Sequence, residues 1–120
     1  MLRRPDLSKF DEAAAGDAGD GVFGLPFSAE ESSVVLIPAP WEPTTSYGKG
    51  TSRGPLAIRA ASAQLDLFDP DLSEQGLGSP WRFGIHMLEP SGEHEQWNLE
   101  AAESAAQAIT SSSSASRLAA

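Results

Sequence analysis

His86 and His94 are the only imidazoles in these 120 residues, and with no cysteine present they are the first candidates for acid–base or metal chemistry. Two imidazoles share one helical face, and with it a metal ion, at i, i+4 spacing. These two stand eight positions apart with Pro90 and Gly92 between them, so they form no such pair. Glu93-His94-Glu95 instead reads as a solvated cluster at a helix start, where carboxylates suit the dipole. Asp66 and Asp69 flank Phe68, but alternation along an extended segment points Asp66 and Phe68 one way and Asp69 the other, which disfavours a metal pair. Ser46 has no Gly-x-Ser-x-Gly context and is not a nucleophile elbow. Gly48, Gly50 and Gly54 suggest a phosphate loop, yet the only lysine there, Lys49, sits between two glycines rather than after the second. The dinucleotide fingerprint fails as well, because Arg53 stands where its third glycine belongs. Trp41 and Tyr47 are candidates to line a pocket, although loop aromatics more commonly serve as packing anchors. The residues by themselves assign no catalytic side chain, no substrate-binding side chain and no metal ligand.

Stepping outward, these residues hang on a strand, a long loop and a helix. Val34-Val35-Leu36-Ile37 is continuous and mostly β-branched, the pattern of a strand buried on both faces in a parallel sheet, and Pro38 ends it. The loop Pro38 to Arg53 is far longer than the roughly 2–6 residues of an ordinary βα connection. Its prolines and aromatics point to an ordered loop. Gly54-Pro55 then opens a helix, since proline is at home in the first turn. Ile58, Ala61 and Leu65 form its apolar stripe, and Leu65 to Asp69 leaves it as an extended piece stopped by Pro70. DPDLSEQGLGSP reads as a surface connection. A second short strand is expected around Phe83 to Leu88, with Gly84 weakening it. Glu93 to Ile109 is the best helix, capped by Ser91, with Trp97, Ala101, Ala105 and Ala108 on one face and Leu99, Ala102, Ala106 and Ile109 on the next.

Three segments result: an irregular acidic leader over 1–33, an α/β part over 34–110, and a Ser/Ala-rich end over 111–120 that frays. The leader's Leu2, Leu7, Phe10, Val22, Phe23, Leu25 and Phe27 follow no regular period. Its section DEAAAGDAGDG reads as mobile, whereas GVFGLPF clips onto its own domain or packs on a partner. The net charge of -9 is uneven: three basic against seven acidic residues over 1–33, three against three over 34–69, and two against seven over 70–120. Without a basic patch, nucleic acid and anionic membranes are excluded as partners, while a small cationic substrate is compatible. No apolar run reaches the ~18 residues of a membrane span. The two N-terminal arginines have no apolar segment behind them, and with the lack of cysteine this suits a cytoplasmic location.

Val34-Val35-Leu36-Ile37-Pro38-x-Pro40, then Thr45-Ser46-Tyr47-Gly48-Lys49-Gly50, Gly54-Pro55-Leu56-Ala57-Ile58-Arg59-x-x-Ser62 and Leu65-x-x-Phe68-Asp69 resembles the N-terminal part of the ureohydrolases, over roughly residues 30–110. The match is nearest to the agmatinase-like branch, with arginase and formimidoylglutamase as alternatives. The resemblance implies an α/β chain that is an incomplete piece of a three-layer α/β/α sandwich around a mostly parallel sheet. It implies two Mn2+ ions as cofactor, a small cationic guanidino substrate such as agmatine cleaved to putrescine and urea, and a homo-oligomer, trimeric or hexameric, in the whole enzyme. The family's metal-ligand motifs, Gly-Gly-Asp/Glu-His-Ser, Asp-Ala-His-x-Asp and Ser-x-Asp-x-Asp-x-x-Asp-Pro, are absent from these residues. The expectation is therefore an N-terminal fragment that is inactive alone. The competing reading is a non-catalytic family member acting as a binding module.

Overall fold

A computed structural model describes residues 5–8, 10–17 and 20–118, with side chains described as far as residue 112. The leader's Leu2 and the final two alanines lie outside the described residues. Five regular elements follow in order: β1 (Val34–Leu36), α1 (Gly54–Ser62), α2 (Pro70–Glu74), β2 (Ile85–Met87) and α3 (Glu93–Leu118). The chain divides into two compact units, one formed by residues 1–38 and 55–89, the other by 39–54 and 90–120. No described helix is long and apolar enough to cross a membrane.

In the first unit β1 and β2 pair in parallel, with Val34 opposite Ile85, Val35 opposite His86 and Leu36 opposite Met87. A parallel pair requires a crossover, and α1 and α2 lie within it, so the α/β class expected from the sequence is what the chain adopts. The second strand is shorter than expected because Pro80–Phe83 winds into a 3-10 turn and claims Phe83. Gly84 follows at φ +82, a conformation that L side chains rarely adopt; a Cβ there would meet Glu31 O and Ser32 Cα at 2.8 Å. This glycine lets the chain turn into β2 rather than weakening it.

The centre of this unit comes largely from the leader. Leu25, Phe27 and Trp81 form the buried cluster, with Leu7, Phe10, Phe23, Leu67 and Ile85 packed against it. Val22 is also buried. Fully burying an aliphatic or aromatic side chain contributes roughly 1.5–3 kcal/mol, so these few carry most of the unit's hydrophobic stabilisation. Phe10 lies against Trp81 with ring centroids 4.6 Å apart. The leader also bonds to the end of α1: Gly16 N–H donates to Ala63 O at 2.7 Å, and Phe23 N–H donates to Ser62 Oγ at 2.8 Å. The section expected to be mobile therefore contains ordered contacts, and GVFGLPF packs on its own chain.

Three local differences from the sequence expectation have physical causes. Pro70 ends the extended piece by opening α2 inside the stretch expected to be a surface connection: Asp69 Oδ1 accepts from Leu72 N–H at 3.1 Å as the N-cap, and Pro70 occupies the first turn. The apolar stripe of α1 is not its buried side, because Ile58 and Leu65 are exposed while Ser62 and Ala63 are buried. The last helix does not fray at Thr110 but continues to Leu118. Thr110 Oγ1 donates to Ala106 O and Ser111 Oγ to Gln107 O, each at 2.9 Å, so these hydroxyls satisfy themselves on the preceding turn of the helix instead of competing with it.

Candidate functional site

The long loop between β1 and α1 is the feature with designed polar geometry, and it lies in the second unit. Its organising side chain is Glu42. One carboxylate oxygen accepts from Gly50 N–H at 2.5 Å and the other from Ser52 N–H at 2.8 Å. These bonds close the loop into a ring from residue 42 to residue 52. Both favour the ionised form, so the Ser52 and Gly50 amides, helped by the Lys49 charge, hold the Glu42 carboxyl below its ordinary value against a smaller desolvation effect. Gly50 sits at φ +130, which places its N–H toward the carboxylate at a conformation suited to glycine.

A second side chain fastens the base of the same loop. Asn98, on α3, accepts from Glu42 N–H through Oδ1 at 2.5 Å and donates from Nδ2 to Pro40 O at 2.7 Å. A single amide thus satisfies a backbone donor and a backbone acceptor two residues apart, a match that only a carboxamide makes with both ends of its side chain. The start of α3 is set by Ser91, whose Oγ accepts from Glu93 N–H at 3.3 Å. Neither Glu42 nor Asn98 stands out in the sequence. Glu42 is one acidic residue among prolines and threonines, and Asn98 sits among Glu95, Gln96 and Glu100, so neither carries a local signal.

Between these two fastenings the loop presents Thr44 to Lys49 to solvent, and Tyr47 is fully exposed. Trp41 is half exposed, so neither aromatic is an internal packing anchor. Ser46 is exposed in the same stretch. The histidines fall in different units. His86, on β2, has Nδ1 2.7 Å from Phe27 O. His94, at the start of α3, has Nδ1 3.1 Å from Ser91 O and meets Trp97 edge-on at 5.2 Å. Asp66 Oδ1 accepts from Phe68 N–H at 2.9 Å, and Asp69 caps α2. In the first unit, Asp66, Asp69, Phe23 and Phe68 border an open groove of about 470 Å3 whose floor includes Trp81.

Among the described residues no three His, Asp or Glu side chains converge as a metal-binding group. Glu42 spends both carboxylate oxygens on backbone amides, and the two imidazoles, each with Nδ1 on a backbone carbonyl, belong to different units.

A parallel strand pair whose crossover contains a latched loop and a Pro-opened helix is a piece of an α/β sheet protein. Comparison with known proteins makes this specific. The arginase family model matches residues 32–116, and the chain belongs to the arginase family. It is 47% identical over 63 residues to an N(1)-aminopropylagmatine ureohydrolase of Synechocystis sp., a stretch covering 52% of this chain and 20% of the relative. It is 43% identical over 61 residues to an N(1)-aminopropylagmatine ureohydrolase of Thermus thermophilus, covering 51% of this chain and again 20% of the relative. The aligned part of the chain thus spans about a fifth of the length of the curated relatives it matches. No solved structure matches.

Proposed function

We propose that these residues are the N-terminal part of a ureohydrolase that cleaves the guanidino carbon–nitrogen bond of a linear polyamine precursor, agmatine or its N-aminopropyl derivative. Water supplies the oxygen of urea, and the alkyl nitrogen leaves as an amine. The observation that carries this reading is the family match over 32–116, which falls on the strand, latched loop, helix and parallel strand just described. The names of the Synechocystis and Thermus relatives favour a polyamine-type substrate over arginine. The excess of acidic residues in the chain is compatible with a substrate carrying two or three positive charges.

In this reading residues 1–120 supply scaffold and the shaped loop, and the groups that act on the guanidinium lie outside them. The chain alone neither binds Mn2+ tightly nor releases urea. The test compares the 120-residue chain with the protein translated from the reading frame extended past the Ala120 codon, each assayed for urea from agmatine, N-aminopropylagmatine and arginine with added Mn2+. Urea from the extended protein with either agmatine, and none from the shorter chain, is the expected result. Urea from the 120-residue chain, or arginine as the best substrate of the extended protein, overturns it. A stop codon directly after Ala120 also overturns it and turns the reading to a non-catalytic family member that binds a partner.

A further inference from the structure

The loop that Glu42 and Asn98 hold is more firmly built than a plain connection needs to be. Residues 37–50 form no helix or strand between β1 and the 3-10 turn Thr51–Arg53 that leads into α1. Ordered loops of that length are usually functional, and binding groups sit on loops that a rigid frame positions. The frame is present. Glu42 closes the ring to Gly50 and Ser52, and Asn98 ties its base to α3. What the frame carries is Thr44 to Lys49, all exposed, with the Tyr47 side chain fully open to solvent. Fixing this backbone costs conformational entropy, and an exposed ring returns none of it by burial. Tyr47, the only tyrosine in the chain, is thus displayed by the loop and does not hold it. The chain enters the loop from the carboxyl end of β1, and open parallel sheets bind ligands outside the carboxyl ends of their strands.

We propose that Tyr47 is a specificity-determining residue of the ureohydrolase reaction, its ring receiving the alkylammonium end of a linear polyamine substrate, remote from the guanidinium that is cleaved. The proposal rests on the reading given under Proposed function and deepens it by naming what tells its substrates apart. Agmatine and its N-aminopropyl derivative differ only at that remote end, where the derivative carries a further ammonium three methylenes on. An aromatic face attracts an ammonium within about 6 Å of its centroid, and its apolar body packs on methylenes. A ring on a latched backbone has little freedom left to lose on contact, so the contact favours the substrate long enough to reach it. The neighbouring cation does not oppose this, because the Lys49 charge acts on the Glu42 carboxylate and helps to keep it ionised.

The experiment uses the protein translated from the reading frame extended past the Ala120 codon, as the parent, as Tyr47→Ala and as Tyr47→Phe. Urea release with added Mn2+ gives kcat and KM for agmatine and for N-aminopropylagmatine. Calorimetry without added Mn2+ reads binding of N-aminopropylagmatine apart from turnover. Tyr47→Ala is expected to raise KM for N-aminopropylagmatine about 3- to 30-fold, the range of one cation–π contact, while kcat stays within about twofold. KM for agmatine rises less, and Tyr47→Phe, which keeps the ring, stays within about threefold of the parent. Because Tyr47 is fully exposed, both variants melt with the parent. The proposal is overturned if Tyr47→Ala leaves both KM values unchanged, if it raises them equally, if kcat alone falls, or if Tyr47→Phe is as poor as Tyr47→Ala. An altered molecular mass for Tyr47→Ala with unchanged KM also overturns it and makes the loop a contact between copies of the chain. A parent that releases no urea but binds N-aminopropylagmatine more tightly than Tyr47→Ala fails the reading under Proposed function alone. Urea release with KM and binding both indifferent to Tyr47 fails this proposal alone.

Discussion

The two units of this chain solve the same problem, holding irregular backbone in one shape, by opposite means. Residues 1–38 and 55–89 are held from inside: Val22, Leu25, Phe27 and Trp81 are nearly inaccessible to water, and Glu12 Oε2 seals the cluster by accepting from Trp81 Nε1 at 2.8 Å and Ser79 Oγ at 2.9 Å. Among the described residues, 39–54 and 90–112 contribute none of the buried hydrophobic side chains, and their loop is held by the Glu42 carboxylate and the Asn98 amide. Burial is insensitive to pH and salt and is shared by many contacts. A polar latch is directional, rests on two side chains, and can fail alone.

That contrast can be broken from either side. The largest effect is expected from Trp81→Ala, which removes a core aromatic and one of the two hydrogen-bond donors to Glu12 Oε2; a loss of about 3–5 kcal/mol in a denaturant titration is expected, and an effect below ~1 kcal/mol would show that the first unit does not depend on its centre. Leu25→Ala should cost somewhat less, about 2–4 kcal/mol by the same measurement, because a smaller cavity is left. In the second unit Asn98→Ala deprives Glu42 N–H and Pro40 O of their partners and should lower the free energy of local loop opening by about 1–2 kcal/mol. Its signature is faster exchange of the Glu42 amide with little change in the global midpoint.

The Glu42 latch sharpens the contrast through pH. Its folded pKa lies below the unfolded value, so its contribution is fully present above the ordinary carboxylate range and is lost as pH falls through the depressed folded value. The Gly50 and Ser52 amide resonances should therefore hold steady down to the ordinary carboxylate range and shift as pH falls through the depressed folded value, while the Leu25 amide resonance of the first unit stays constant over the interval in which they move. Simultaneous movement of both signals would mean that the two units are not held independently. The smallest effect is expected from Arg59→Ala, which removes an ion pair with the exposed Glu89; such pairs contribute about 0–1 kcal/mol, less at high salt.

The sequence showed the periodic and punctuated parts well and the long-range polar contacts hardly at all. A β-branched run ending at Pro38, a helix opening at Gly54-Pro55 and a helix start at Ser91-x-Glu93 are local signals, and each element formed where expected. Asp69-Pro70 was an equally local N-cap signal and was outweighed by the reading of proline as a stop. What stayed hidden depended on separation. Glu42 and Asn98 lie 56 positions apart, and Glu12 and Trp81 lie 69 apart. No spacing rule connects such pairs, because the fold that brings them together is not written at either position. The leader illustrates the same limit: its apolar residues follow no period because they serve as individual plugs in one cluster, not as a face.

That cluster also sets an order of events during synthesis. Val22, Leu25 and Phe27 emerge early, yet the indole that completes their enclosure comes more than fifty residues later. At about 5–20 residues per second, the ribosome leaves these side chains without their final cover for several seconds. The nascent chain in that interval displays an aromatic-rich, acid-flanked segment to whatever is nearby. For this protein the risk of misassociation is therefore concentrated before the Trp81 codon is read, and slowing translation upstream of that codon would lengthen it.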